Sequence, residues 1–172
     1  MTDITQAAGD GPWPQRRIRF ARPADLPELM ALCRNLSQEN AIAPMMDDIV
    51  CAELERCIAK DGGFIGVIGN VGEPIEGAIC LRFSSLWYNS SYWWLEDKFV
   101  HVLPKYRASS NGNDLIEWAI WWRDQLQIPL MLGIVSNERT EAKIALYRRK
   151  LGPMSGALFL VGAKTGLNHE VQ

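Results

Sequence analysis

From Arg16 to Arg22 basic and apolar residues alternate (Arg17, Ile18, Arg19, Phe20), the period of a half-buried strand. Pro23 follows where a first helical turn tolerates proline, and Leu26, Leu29, Met30, Cys33 and Leu36 recur at three- and four-residue spacing, which predicts a helix. Asp47 and Asp48 open a second amphipathic run (Ile49, Val50, Leu54, Cys57, Ile58), with the acids at the end where the helix dipole favours them. Phe64 to Gly69 and Ile75 to Phe83 are β-rich apolar runs on either side of Val71-Gly72-Glu73-Pro74, which predicts an antiparallel hairpin, and Tyr92 to Leu103 is a further long strand ended by Pro104. Asn111 to Gln127 carries Leu115, Ile116, Trp118, Ala119, Trp122 and Leu126 at helical spacing. Leu130 to Val135 is then a short apolar strand, Arg139 to Lys150 a last helix and Ala157 to Val161 a last strand.

The resulting order, β-α-α-β-β-β-α-β-α-β, predicts an α/β (α+β) domain: a mixed sheet with helices on its faces, in which Tyr92 to Val135 forms a β-α-β crossover. One domain over residues 16–163 is expected, after a polar leader at 1–15 and before a loose tail at 164–172. The composition, 48% hydrophobic and 22% charged over 172 residues, is that of an ordered globular protein. A net charge of −2 gives no general reason to bind nucleic acid. No stretch approaches the length of a membrane span, so neither a membrane nor a secretory route is expected and the cytoplasm is. The cysteines Cys33, Cys51, Cys57 and Cys80 lack metal or disulfide spacing and read as buried free thiols; with His101 and His169 as the two histidines, no metal site is expected.

The chemistry is concentrated after the long strand, in Val102-Leu103-Pro104-Lys105-Tyr106-Arg107-Ala108-Ser109-Ser110-Asn111-Gly112-Asn113. A turn running into a helix N-terminus offers unpaired backbone N–H groups and the positive end of the helix dipole, which bind phosphate oxygens. The same residues also suit an ordinary polar turn with a helix cap. Arg107 and Gly112, with Ser110 where glycine is usual, and the flanking Leu115-Ile116-x-Trp118-Ala119 resemble the pyrophosphate loop of the GNAT superfamily of N-acetyltransferases. The resemblance spans roughly Arg16 to Ala163. It implies the GNAT acyl-CoA N-acyltransferase fold, a central, mostly antiparallel sheet of about six to seven strands flanked by about four helices, and acetyl-CoA as co-substrate bound by Val100, Val102, Arg107, Ala108, Ser109, Ser110, Asn111, Gly112, Asn113 and Asn137.

The resemblance also supplies catalytic candidates. Glu96 stands where many members keep a carboxylate that takes the proton of the attacking amine; strand alternation puts it on the face of Val100 and Val102 and turns Asp97 away. A solvated pair with Lys98 or Arg82 is the other reading of Glu96. Tyr147, in Leu146-Tyr147-Arg148-Arg149-Lys150-Leu151-Gly152, matches the tyrosine that protonates the leaving thiolate, though it also falls on an apolar helical stripe with Ile144 and Leu151. The family's asparagine position holds Thr140; Asn137 either bonds the pantetheine amides or caps the last helix. Of the cations near the site, Arg107 is the first choice for the phosphates. His101, sharing a face with Phe99 and Leu103, reads as a satisfied core histidine. The implied reaction is acetyl transfer to a primary amine of a small molecule or protein by direct attack in a ternary complex, with small phage-encoded GNAT proteins as a further resemblance. A noncatalytic GNAT-fold module is the alternative. The aromatics exceed what one face buries, so the surplus is expected at a homodimer interface or along the acceptor groove, with Trp87 and Tyr88 near the hairpin tip as groove candidates.

Overall fold

The computed structural model describes residues 17–134 and 140–156. Strands β1 (Ile18–Phe20), β2 (Gly63–Ile68), β3 (Gly77–Leu86), β4 (Asn89–Val102) and β5 (Leu130–Met131) lie in sequence order across one sheet. The first three junctions are antiparallel and β4 pairs with β5 in parallel, as the crossover through helix α3 (Asn111–Leu126) requires. Helices α1 (Leu26–Asn40) and α2 (Asp47–Ile58) precede β2, and α4 (Thr140–Leu151) follows β5.

Alternation along β2 sorts the core into two layers. Ile65 and Val67 join Leu29, Leu32 and Cys33 of α1 and Leu54 and Cys57 of α2 on one face. Phe64 and Ile68 join Leu115, Trp118, Ala119 and Trp122 of α3 on the other. Gly66 sits under the Trp118 ring, where an added Cβ would come within 2.7 Å of the indole, so only glycine lets α3 seat this closely on the sheet. The chain enters α1 through a short 3-10 turn, Pro23–Asp25. Asp25 is buried there because Arg19 donates to both its carboxylate oxygens (2.7 and 2.8 Å) and the Arg22 N–H to one (2.7 Å); the Arg19 hydrogen bond leads in holding its pKa below the usual carboxylate value.

Five strands are described against the six to seven expected; the sixth, Ala157 to Val161, lies outside the described residues, as do the leader and the tail. Two boundaries also differ. The β3–β4 ladder reaches the pair Leu86 and Asn89, closing on Trp87 and Tyr88. Strand β5 is only two residues long, because the Gly133 N–H turns to the Asp97 carboxylate (2.6 Å) instead of the β4 backbone. Among the described residues no helix is long and apolar enough to cross a membrane, and no cluster of three His, Cys, Asp or Glu could hold a metal ion.

Candidate active site

The short β5 leaves one edge of β4 open. Pairing stops after Leu95 with Leu130 and Glu96 with Met131, so from Asp97 to Val102 that edge has no strand partner among the described residues. Beside it lies a cleft of about 550 Å³, bounded by Val100 and Val102 of β4, Ser109, Gly112 and Asn113 of the turn into α3, the C-terminal end of α1, and Leu146, Tyr147 and Arg149 of α4. A strand edge, a helix N-terminus and a tyrosine thus meet at one cavity.

The turn is built from local hydrogen bonds. The Ser109 hydroxyl donates to the Tyr106 carbonyl (2.6 Å) and accepts from the Asn111 N–H (3.2 Å), while the Ser110 hydroxyl donates to Asp114 (2.8 Å). Ser110 therefore points its hydroxyl along its own helix, and Ala108 is exposed. Asn111 is fully buried and donates to Glu76 (2.7 Å) behind the cleft. The next residues, Gly112 and Asn113, face the cleft with N–H groups that a helix's first turn leaves without internal acceptors. Gly112 is helical without a positive φ, and a Cβ there would meet Leu146 and Val102 only at 4.0 Å. Its value is the bare approach to its backbone.

Arg107 is committed inside the protein. Its Nε donates to the Val102 carbonyl (2.8 Å) and its Nη2 to both oxygens of Glu39 at the end of α1 (2.6 Å each), so it ties the turn to α1 and occupies the carbonyl of an expected pantetheine-binding residue. Arg149 also lines the cleft from α4.

The expected faces of Glu96 and Asp97 are reversed. The ladder runs Arg82 with Glu96 and Leu81 with Asp97, but then Cys80 with Phe99 and Ile79 with Val100: Lys98 is an extra residue, a β-bulge. One inserted residue exchanges the two faces of everything before it, so Asp97, not Glu96, shares a face with Val100 and Val102. Glu96 instead faces α1 and α2 with Phe99 and His101 and accepts a hydrogen bond from Lys98 (2.7 Å). Burial raises its pKa, but Lys98, with smaller help from Trp94 and Ser84, outweighs burial and leaves it below the ordinary value.

Asp97 has the opposite balance. Burial pushes its carboxyl up to about 6 against the Gly133 N–H and Lys143, with the Glu96 charge adding to the rise. Tyr147 is pushed upward by burial and by the Asp97 charge, so its phenol remains a proton donor at neutral pH. His101 is buried and its Nε2 lies 2.8 Å from Asn35 Oδ1 of α1; burial lowers it to about 4, which keeps it neutral. Asn137 lies outside the described residues. Sequence alternation alone misses Asp97, because apolar residues on both faces of β4 around Lys98 (Trp94 and Leu95, Phe99 and Val100) hide the change of phase at the bulge.

No protein-family model matches the chain, and no curated protein sequence does. Solved structures do. A Trypanosoma brucei acetyltransferase aligns at 18% identity over 83% of this chain and 95% of that one, with a TM-score of 0.63. A predicted acetyltransferase of Clostridium acetobutylicum, solved with acetyl-CoA, aligns at 12% over 83% and 94%, TM-score 0.66. AAC(6')-Iy, in complex with the bisubstrate analogue CoA-S-monomethyl-acetylneamine, aligns at 14% over 83% and 94%, TM-score 0.63. At such identities the likeness is one of fold: this chain has the mixed, mostly antiparallel sheet and four flanking helices of these acetyltransferases.

Proposed function

We propose that the protein is a GNAT-superfamily N-acetyltransferase that moves an acetyl group from acetyl-CoA to a primary amine by direct attack in a ternary complex. The observation that carries this reading is the convergence, on an acetyltransferase fold, of an unpaired β4 edge and a helix N-terminus with bare Gly112 at one cleft. The pyrophosphate lies at the N–H groups of Gly112 and Asn113, and the thioester arm extends along β4 past Val102 and Val100 as a surrogate strand. The 3′-phosphate meets Arg149, since Arg107 is held by Glu39.

Asp97 takes the place expected for Glu96 as the base. It lies on the cleft face, and a carboxylate titrating near 6 is ionised at pH 7 while remaining basic enough to accept an ammonium proton. The freed amine attacks the thioester carbonyl carbon and the C–N bond forms; the tetrahedral intermediate gives its excess N–H proton to solvent and collapses to the neutral amide as the C–S bond breaks. The departing thiolate takes the Tyr147 hydroxyl proton, and solvent restores the phenol. Calorimetric titration with acetyl-CoA, dephospho-CoA and ATP tests the reading. Saturable binding that prefers acetyl-CoA, followed by thiol release with an amine panel, is the expected result. Absence of acetyl-CoA binding refutes it.

One observation favours a second reading, a noncatalytic module that acts by contact: the β3–β4 tip exposes Trp87 (94%) and Tyr88 (68%), with Tyr92 and Trp93 also outside. Binding of acetyl-CoA without turnover on any amine would support it.

A further inference from the structure

The opposite face of the sheet carries a larger cavity, about 960 Å³, between α1, α2 and the strands β3 and β4. Its walls are mostly apolar, among them Leu36, Met45, Val50 and Phe99, and two thiols, Cys33 and Cys80, open on it. Behind Cys80 stands Cys57 of α2, and the two sulfurs lie 3.6 Å apart as free thiols in S–H···S contact. Both residues are 1% exposed, so this spacing is fixed by core packing on α2 and β3 and not by the wandering of surface side chains.

The pair has a cation beside it. Arg82 reaches over from β3, donates to Glu53 (2.6 Å) and interacts with the Cys57 sulfur. The hydrogen bond from Cys80 leads in lowering the Cys57 pKa, against burial and Glu53, and Arg82 acts in the same direction; that bond and burial push Cys80 well above its ordinary value. The Arg82 guanidinium stands on the Cys57 side of the pair and favours thiolate there, with Cys80 the neighbour within reach. Burial alone lifts Cys33 to about 11 and leaves it inert, while half-buried Cys51 lies on the same helix as Cys57.

We propose that Cys57 and Cys80 form a redox modification site beside the apolar cavity, at which hydrogen peroxide joins them as an intramolecular disulfide between α2 and β3. The Cys57 thiolate attacks one peroxide oxygen; an S–O bond forms, the O–O bond breaks, and the departing hydroxide takes the proton that Cys57 gave up, leaving water and a sulfenic acid. The Cys80 sulfur then attacks the Cys57 sulfur, the S–O bond breaks, and the hydroxyl leaves as water with the Cys80 proton. Two thiols are oxidised by two electrons, and one peroxide is reduced to two waters. The sulfurs need to close from 3.6 Å to about 2.05 Å, a side-chain movement of roughly 1.5 Å. The site stands independently of the acetyl-transfer reading, since Cys57, Cys80 and Arg82 are not among the residues that line the cleft.

The test uses the reduced full chain exposed to hydrogen peroxide, then denatured, treated with N-ethylmaleimide and weighed. The expected product has lost two hydrogens, takes up maleimide at two of its four cysteines, and yields a peptide pair linked through Cys57 and Cys80. Four reactive thiols after exposure, a disulfide through Cys33 or Cys51, or sulfinic acid at Cys57 without a cross-link would each overturn the proposal. Phenylarsine oxide gives a readout that needs no oxidant: it bridges two adjacent thiols with loss of water, so uptake of one equivalent is expected in the parent and in Cys51→Ser and none in Cys80→Ser. Failure of the parent to take it up overturns the site. Arg82→Met is expected to slow disulfide formation about fivefold and to move its pH dependence upward; an unchanged rate profile removes Arg82 from the site.

Discussion

Glu96 and Asp97 are neighbours on one strand with nearly identical chemistry, and the fold gives them opposite tasks. Glu96 turns toward α1 and α2, meets the Lys98 ammonium and is held below the ordinary carboxylate value. Asp97 turns to the face of Val100 and Val102, accepts from the Gly133 N–H and is lifted to about 6 by burial. The bulge at Lys98 decides which is which, and the consequence reaches past these two residues. The Gly133 bond that ends β5 early and leaves β4 open works against the rise, so burial lifts the Asp97 carboxyl in spite of it. Residue type alone does not identify a base; register does.

The largest test of this contrast is to remove each carboxylate in turn. Asp97→Asn is expected to lower kcat by about a thousandfold and to erase an acid limb near pH 6, below which the parent's base is protonated and its rate falls. Glu96→Gln should stay within about twofold. Equal losses in the two variants, read from pH profiles of thiol release, would break the comparison. Next in size, Gly112→Val should weaken acetyl-CoA binding about a hundredfold by calorimetry, whereas Gly112→Ala should fold at least as stably as the parent, alanine being favoured in a helix by up to about 1 kcal/mol. Tyr147→Phe should reduce kcat about tenfold and leave acetyl-CoA affinity nearly unchanged. The smallest effect is at Arg149→Ala, expected to erase an advantage of about threefold to tenfold for CoA over dephospho-CoA.

Stability sharpens the same contrast with no substrate present. The folded Asp97 carboxyl titrates above its unfolded value of 3.8, so the folded chain binds that proton more tightly than the unfolded one. Its contribution to stability is complete below the unfolded pKa and is lost as pH rises through about 6. Asp97→Asn, which stays neutral, should therefore melt at a higher temperature than the parent at pH 7.5, with the gap closing toward pH 4. A melting temperature at pH 7.5 equal to or below that of the parent would contradict the raised carboxyl.

Much of this architecture is legible from spacing because local rules govern it. Helix α2 begins at the acidic pair Asp47 and Asp48 and ends at Ile58, where the apolar period ends; the crossover through α3 follows from a strand, a helical period and another strand in succession. The turn at Ser109 to Asn113 is legible for the same reason, since a helix N-terminus is a local property. What alternation cannot carry is a slip. The bulge at Lys98 shifts the phase of the alternation, but Trp94 and Leu95 before it and Phe99 and Val100 after it put apolar residues on both faces, which hides the shift. The Arg107 to Glu39 pair spans 68 positions, so Arg107 reads as a free cation in any local window. The hairpin tip falls at Trp87 and Tyr88, as their place between two strands suggests, but its turn type is unmarked: the turn closes without positive φ and so lacks the Asn-Gly signal of primed turns.

That tip has a practical corollary in light emission. Trp87 stands almost wholly in water, while Trp118 and Trp122 are packed in the core beside Phe64. Indole emission shifts red and becomes open to soluble quenchers as the ring is wetted, so one unlabelled sample carries two reporters. The blue, shielded component follows the integrity of the sheet and α3, and Trp87 adds a red, quenchable one that responds to what lands on the hairpin.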